Sequence, residues 1–142
     1  MDNVLKISEG ASLAMHAMTL MASSPDVRHS MSEMARTLKA SPGHLQMVLW
    51  RLARNGLLDS SRGPNGGYSL AKKPEKISLL DVYEAVEGKF RPADCLMDRP
   101  ICGREKCILG ELIKSVNKQT MDYFSKTTLA DLAEQPERRT GK

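Results

Sequence analysis

A glycine-rich turn between two short apolar segments is the feature that most restricts how this chain can fold. The stretch RGPNGGYSLA, residues 62–71, follows the apolar pair Leu57 and Leu58. Tyr68 and Leu70 alternate with smaller residues, as in a half-buried strand, and the glycines supply the positive-φ positions of a hairpin turn. The sequence therefore predicts a β-hairpin at this point.

Two short amphipathic helices are predicted immediately before the hairpin. Ser30 begins the first with the spacing of a capping box to Glu33, and Ser41 begins the second, where Pro42 suits the first helical position. Gly56 suits the left-handed position that often follows a helix. Two helices joined by a tight turn form a helix-turn-helix, and a hairpin directly after it is a wing.

Further helices are predicted on both sides of this unit. One begins at Ser8 and another at Ser78, and an apolar stripe from Ile108 to Phe124 continues for about five turns. So long a stripe on a small domain needs a partner surface, and the simplest partner is the same helix of a second copy. The predicted fold class is mainly α with a small β-hairpin: a winged helix-turn-helix domain plus a long C-terminal dimerisation helix.

Positive charge is concentrated where the helix pair and the hairpin lie. The whole chain has a net charge of +4, whereas residues 36–73 hold seven Lys or Arg against one acid, Asp59, a net charge of +6. Such an excess is either a solvated basic face or a phosphate-binding surface. Its position on a helix pair followed by a wing favours DNA.

Helical geometry then selects the candidate DNA contacts. With Leu45 directed into the core, Gly43, Met47, Trp50 and the arginines of the third helix fall on the outward face. This helix is predicted to enter the major groove, while the wing probes the adjacent minor groove. The candidate contacts are Ser41, His44, Gln46, Arg51 and Arg54 in the helix and Arg62, Gly63, Asn65, Gly66 and Gly67 in the hairpin.

Three cysteines, Cys95, Cys102 and Cys107, are clustered after the predicted winged domain. An odd number argues against a disulfide framework. Thiolates are soft ligands that suit iron–sulfur clusters, zinc or Cu(I), and no His lies near them to complete a zinc site. Spacing alone leaves an iron–sulfur cluster, zinc and a bare thiol switch open.

These patterns divide the chain into four predicted parts. They are a winged helix-turn-helix DNA-binding domain at 1–88, a cysteine-bearing cluster loop at 89–107, the dimerisation helix and C-terminal segment at 108–133, and a disordered tail at 134–142.

Several stretches together resemble the Rrf-two family of bacterial winged-helix regulators, including its iron–sulfur members. The most specific is RGPNGGYSLA at 62–71, and the match continues through residues 77–88, the three cysteines and residues 128–132. The resemblance implies a homodimeric, sequence-specific transcription regulator, expected to be a repressor, that binds a roughly two-fold operator in double-stranded DNA.

The resemblance also implies an iron–sulfur cluster on the three cysteines, 4Fe–4S in preference to 2Fe–2S, with zinc as the alternative. Such a cluster would sense redox state, nitric oxide or iron supply. Gly110 stands where some members place a ligating His, so His16 in the first helix is the candidate fourth ligand. The plainer alternative for His16 is a helix residue packed at the dimer seam. The fallback ligands are Asp94, Asp98 and Glu105.

Other functional classes are disfavoured by what the sequence lacks. No apolar run approaches the roughly 20 residues of a membrane span and no signal segment opens the chain, so we expect a cytoplasmic protein without a membrane partner. With three His and no phosphate-loop, dinucleotide or nucleophile-elbow pattern, the chain is not predicted to be an enzyme. The alternative function is a cluster-free or zinc-stapled winged-helix regulator, or a protein-interaction module, that responds to thiol oxidation or a partner.

Overall fold

The computed structural model describes residues 5–93, 95–97, 101, 103 and 107–134. Within them the chain forms six α-helices and one two-stranded antiparallel sheet, which confirms the predicted fold class. A short 3-10 turn at Pro74–Lys76 follows the sheet. The elements are α1 (Glu9–Ala22), α2 (Met31–Leu38), α3 (Pro42–Arg54), β1 (Leu58–Ser61), β2 (Gly67–Leu70), α4 (Leu79–Glu87), α5 (Gly110–Lys126) and α6 (Leu129–Ala133).

The first three helices begin at the residues predicted to cap them. In each, the serine ahead of the helix accepts a hydrogen bond from the backbone N–H three residues later. A cap of this kind satisfies a donor that has no partner inside the helix and contributes about 1 kcal/mol. The capping residues are Ser8, Ser30 and Ser41.

Aliphatic and methionine side chains form the core that holds α3 in place. Leu45, Leu49 and Leu52 of α3 are fully buried in one cluster with Met18 and Met21 of α1. Their 3.6-residue spacing leaves the opposite face of α3 free. The core thus sets which side of this helix is presented to solvent.

The last described helix, α6, packs on the winged unit. Leu129 is completely buried in the main core. The backbone N–H of Leu79 donates to Thr127 at 2.9 Å, and the N–H of Leu129 donates to Ile77 at 2.9 Å, so α4 and α6 begin side by side. Each of the two helices begins with a reciprocal capping box. The pairs are Ser78 with Asp81 and Thr128 with Asp131.

Two predictions from the sequence concern a membrane span and the C-terminal tail. No helix in those ranges combines the length and apolar character that a membrane span requires. The tail predicted to be disordered begins at Glu134, the last residue described, and its remainder from 135 onward lies outside the described residues.

Candidate nucleic-acid interface and cysteine loop

The outward face of α3 is exposed, as its sequence predicts. Met47 and Trp50 are each 54% exposed, although both are large apolar residues. Gly43 has open space around its Cα, and Gln46 lies exposed on the flank. This face is therefore free to meet another molecule over the whole length of the helix.

The two arginines of α3 both have partners within the chain. Arg51 Nη1 donates to the carbonyl of Val86 at 3.1 Å and so ties α3 to the end of α4. The guanidinium carbon of Arg54 lies 5.1 Å from the centre of the Trp50 ring, which is a cation–π contact. Arg54 remains exposed beside the ring, whereas Arg51 is committed to α4; DNA contact by either arginine stays a prediction.

His44 lies at the start of α3 and faces α1. It is half-buried, and it lines a cavity of about 450 Å³ together with His16 and Glu9. His16 Nδ1 lies 2.7 Å from the carbonyl of Ser12, and because a carbonyl only accepts, Nδ1 donates; in a neutral ring this leaves Nε2 as the acceptor. That state suits both a metal ligand and an ordinary surface histidine, so the ligand assignment of His16 stays a prediction.

The wing is a tight hairpin with a charged tip. Leu58 pairs with Leu70 and Ser61 pairs with Gly67, which leaves residues 62–66 as the turn. A Cβ at Gly66 would collide with the carbonyl of Ser61, so a glycine is required there for steric reasons. Arg62 and Asn65 project from this turn and are exposed, as their predicted contact with DNA requires.

A third backbone segment, at His29, pairs with the wing, and the sequence did not predict this pairing. His29 N donates to Tyr68 O at 2.8 Å and Tyr68 N donates to His29 O at 2.9 Å. Gly67, with φ of +147°, passes so close that a Cβ would collide with the His29 carbonyl. Arg28 also donates to the hydroxyl of Ser61. Gly67 therefore has an internal packing role, and its contact with DNA stays a prediction.

Two of the three cysteines lie within the described residues, and both are free thiols. Cys95 is half-buried and its Sγ accepts from Met97 N at 3.4 Å, while Cys107 is exposed just ahead of α5. Thiols of this kind bind soft metal ions and iron–sulfur clusters in their deprotonated form. Cys102 and the fallback ligands Asp94, Asp98 and Glu105 lie outside the described residues. Among the residues described, no three His, Cys, Asp or Glu side chains converge on one metal position.

The loop that carries Cys95 is anchored to α4 and α5. Asn117 Nδ2 of α5 donates to Ala93 O at 3.1 Å, and Phe90 N donates to Glu84 Oε2 at 2.7 Å. The ring of Tyr83 contacts those of Phe90 and Phe124, with centroids 5.8 and 5.6 Å apart. Burial, with a smaller contribution from Glu87, raises the pKa of Tyr83.

α5 has an apolar face that the described chain leaves uncovered. Ile113 and Phe124 are buried on the side that packs against α4. Leu112, Val116 and Tyr123 are 59%, 39% and 54% exposed and follow one another at helical spacing. This is the face on which the predicted dimerisation depends.

These elements define a winged helix-turn-helix protein of the DNA-binding regulator class: a capped helix pair, an exposed second helix and a hairpin wing. The sequence profile of the Rrf2 family, described as an iron-dependent transcriptional regulator, matches residues 7–135. The chain belongs to the Rrf2 family, the Rrf-two family of the sequence resemblance.

Individual relatives agree with this assignment. A protein of Aquifex aeolicus assigned as an HTH-type transcriptional regulator is 30% identical over 88% of this chain and 89% of its own. The regulator IscR of Erwinia tasmaniensis is 32% identical over 68% of this chain and 59% of its own. CymR, the global cysteine regulator of B. subtilis, has a structure similar to this one with a TM-score of 0.77, 28% identity, and coverage of 94% of this chain and 100% of CymR. These relatives are transcriptional regulators and not enzymes, which confirms the prediction that this chain is not an enzyme.

Proposed function

We propose that this chain is a homodimeric repressor that binds a two-fold operator in double-stranded DNA and is controlled through its cysteine loop. The observation that carries the proposal is the exposed outward face of α3 beside an exposed wing tip, both within the segment of net charge +6. The cytoplasm is the compartment in which such a protein meets the chromosome.

Each DNA-facing part has a distinct role in this proposal. The start of α3, with Ser41, His44 and Gln46, lies nearest the base edges in the major groove. Arg54 reaches a phosphate or a base from the far end of the same face. Arg62 and Asn65 enter the adjacent minor groove from the wing. Phosphate contacts position the helix, and base contacts select the sequence.

The homodimer is supported by the uncovered face of α5. Leu112, Val116 and Tyr123 form an apolar strip that an identical strip from a second copy would cover in a two-fold interface. Two copies held in this way would set two α3 helices about one turn of DNA apart, as a palindromic operator requires.

The cysteine loop has the donors that an iron–sulfur cluster needs. Cys95, Cys102 and Cys107 would hold it, and Cys95 and Cys107 are free thiols. Such a cluster, 4Fe–4S in preference to 2Fe–2S, would supply an iron site sensitive to oxygen, nitric oxide or iron supply. The description of the matching family as an iron-dependent transcriptional regulator supports an iron site here.

The chain's own contacts offer a route from this loop to the dimer helix. Asn117 holds the carbonyl of Ala93, and Tyr83 packs against both Phe90 and Phe124. A change in the conformation of the loop between 90 and 107 would therefore be transmitted to both α4 and α5, where these two helices contact each other. We infer that this contact is the element that shifts between two states of the regulator.

Salt-dependent DNA binding tests the proposal most directly. Trp50 is the only tryptophan of the chain and lies on the proposed interface, so its fluorescence should change when a duplex binds. The affinity should fall steeply as salt rises, because phosphate contacts release counterions. An absence of binding to any duplex at low ionic strength would overturn the proposal.

The metal content of anaerobically purified protein tests the cofactor separately. We expect brown protein with iron and acid-labile sulfide, and a colourless Cys102→Ser variant. Colourless wild-type protein with stoichiometric zinc would instead support the zinc-stapled alternative. Neither result decides DNA binding, which the salt titration tests separately.

A further inference from the structure

The outward face of α3, the face by which helices of this kind read DNA, carries apolar side chains along its centre. Gly43, Met47, Trp50 and Arg54 follow one another along this line, at steps of three or four residues. Met47 and Trp50 are both 54% exposed. The two residues at the centre of this exposed face thus carry a thioether and an indole and not charged groups.

The surroundings of Met47 and Trp50 indicate what kind of molecule covers them. Large exposed apolar groups next to each other mark a binding surface. Their neighbours Arg51 and Arg54 are cationic, and the segment around them has a net charge of +6. A second identical copy on this face would bring like charges together, whereas a polyanion with apolar groups in a groove is complementary to it.

We propose that Met47 and Trp50 select thymine by contact with its C5 methyl group, so that each operator half-site carries thymines in neighbouring base pairs. The thymine methyl is the apolar group that base pairs present in the major groove. The two side chains start about 4.5 Å apart along the helix axis, close to the step between adjacent base pairs of about 3.4 Å. This inference rests on the proposed function, because it assumes that α3 enters the major groove.

Two neighbouring side chains fit this role. The Arg54 guanidinium lies over the Trp50 ring, 5.1 Å from its centre, and stays able to reach a phosphate. Gln46, exposed on the flank, carries an amide of the kind that pairs with the N6 and N7 of adenine. An A·T-rich half-site would satisfy both the apolar pair and the amide.

Deoxyuridine substitution tests the proposal because it removes only the methyl group. The full-length protein is used to select duplexes from a random pool, and each thymine of a selected duplex is then replaced by deoxyuridine in turn. At two neighbouring base pairs of each half-site, we expect binding to weaken about fourfold per methyl removed. Met47→Ala should abolish the effect at one of these base pairs and Trp50→Ala at the other.

Arg62→Ala is the matched control. It removes a side chain in the wing, outside the major groove, so it should weaken the thymine and deoxyuridine duplexes by the same factor. Thermal melting of Met47→Ala should match the wild type, because the side chain is exposed and makes no part of the core.

Three results would contradict the inference. Tight binding that is insensitive to deoxyuridine at every position would overturn it while leaving DNA binding intact. Full methyl sensitivity in both Met47→Ala and Trp50→Ala would assign the reading to other residues. Failure to select any duplex would overturn the proposed function itself, and the thymine preference with it.

Discussion

The backbones of His29 and Tyr68 are joined by two hydrogen bonds, at 2.8 and 2.9 Å, although the residues lie 39 positions apart in the chain. This pair adds a third segment to the wing just before Ser30, the residue that caps α2. These hydrogen bonds tie the wing to the segment that leads into α2. We therefore expect a shift of α2 to move the wing with it.

Removal of the charge at the wing tip should weaken operator binding. Arg62→Ala should cost about 1–3 kcal/mol if the guanidinium reads a base, and it should also relax the sequence preference at that position. Lys126→Ala, which removes a charge at the end of α5, serves as the control and should leave the affinity nearly unchanged. Fluorescence titrations over a range of salt concentrations provide the measurement. An unchanged affinity and an unchanged salt slope in Arg62→Ala would remove the wing from the mechanism.

A methyl group at Gly67 should destabilise the protein. Gly67→Ala forces a positive φ on alanine and a collision with the His29 carbonyl, so the free energy of unfolding should fall by about 2–3 kcal/mol. Gly43→Ala is the control, because nothing lies within 4 Å of its Cβ and alanine favours a helix; it should gain up to about 1 kcal/mol. Urea unfolding at one protein concentration measures both. Equal stabilities of the two variants would mean that the wing is not held against His29.

A charge on the uncovered face of α5 should dissociate the dimer. Val116→Asp places a carboxylate in the proposed interface, where burial of an unpaired charge should weaken association by about 2 kcal/mol or more, roughly 30-fold. Lys118→Asp introduces the same group two residues away on a different side of α5 and should leave the dimer intact. Light scattering after size exclusion gives the mass of each. A dimeric Val116→Asp protein would mean that the interface lies elsewhere. A monomeric wild type would mean that this face of α5 forms no dimer.

Tyr83 should ionise above the ordinary pKa of tyrosine. Burial raises its pKa above 10.0, the ordinary value that it keeps when unfolded, so Tyr83→Phe should remove a step above pH 10.0 from an absorbance titration. Between the two pKa values the unfolded chain releases this proton first. The free energy of unfolding should therefore fall as pH rises through that range, and it should fall less in Tyr83→Phe. Loss of a lower step instead would show that the Tyr83 ring is not packed between Phe90 and Phe124.

Much of the fold could be predicted because its signals are local. The caps at Ser8, Ser30, Ser41 and Ser78 and the glycine turn of the wing each depend on residues three or four positions apart. The inward stripe of α3 likewise follows from helical periodicity alone. These contacts form whenever the short segment adopts its helix or turn, so the local sequence pattern predicts them directly.

Tertiary structure alone decided what these elements contact. The pairing of His29 with Tyr68, the commitment of Arg51 to the Val86 carbonyl and the burial of Leu129 in the core all join residues distant in the sequence. Their free energy depends on which surfaces meet after the chain has closed long loops, and no local pattern encodes that choice. The cysteine spacing left an iron–sulfur cluster, zinc and a thiol switch open, whereas the contacts of Ala93, Phe90 and Tyr83 show which helices the loop packs against.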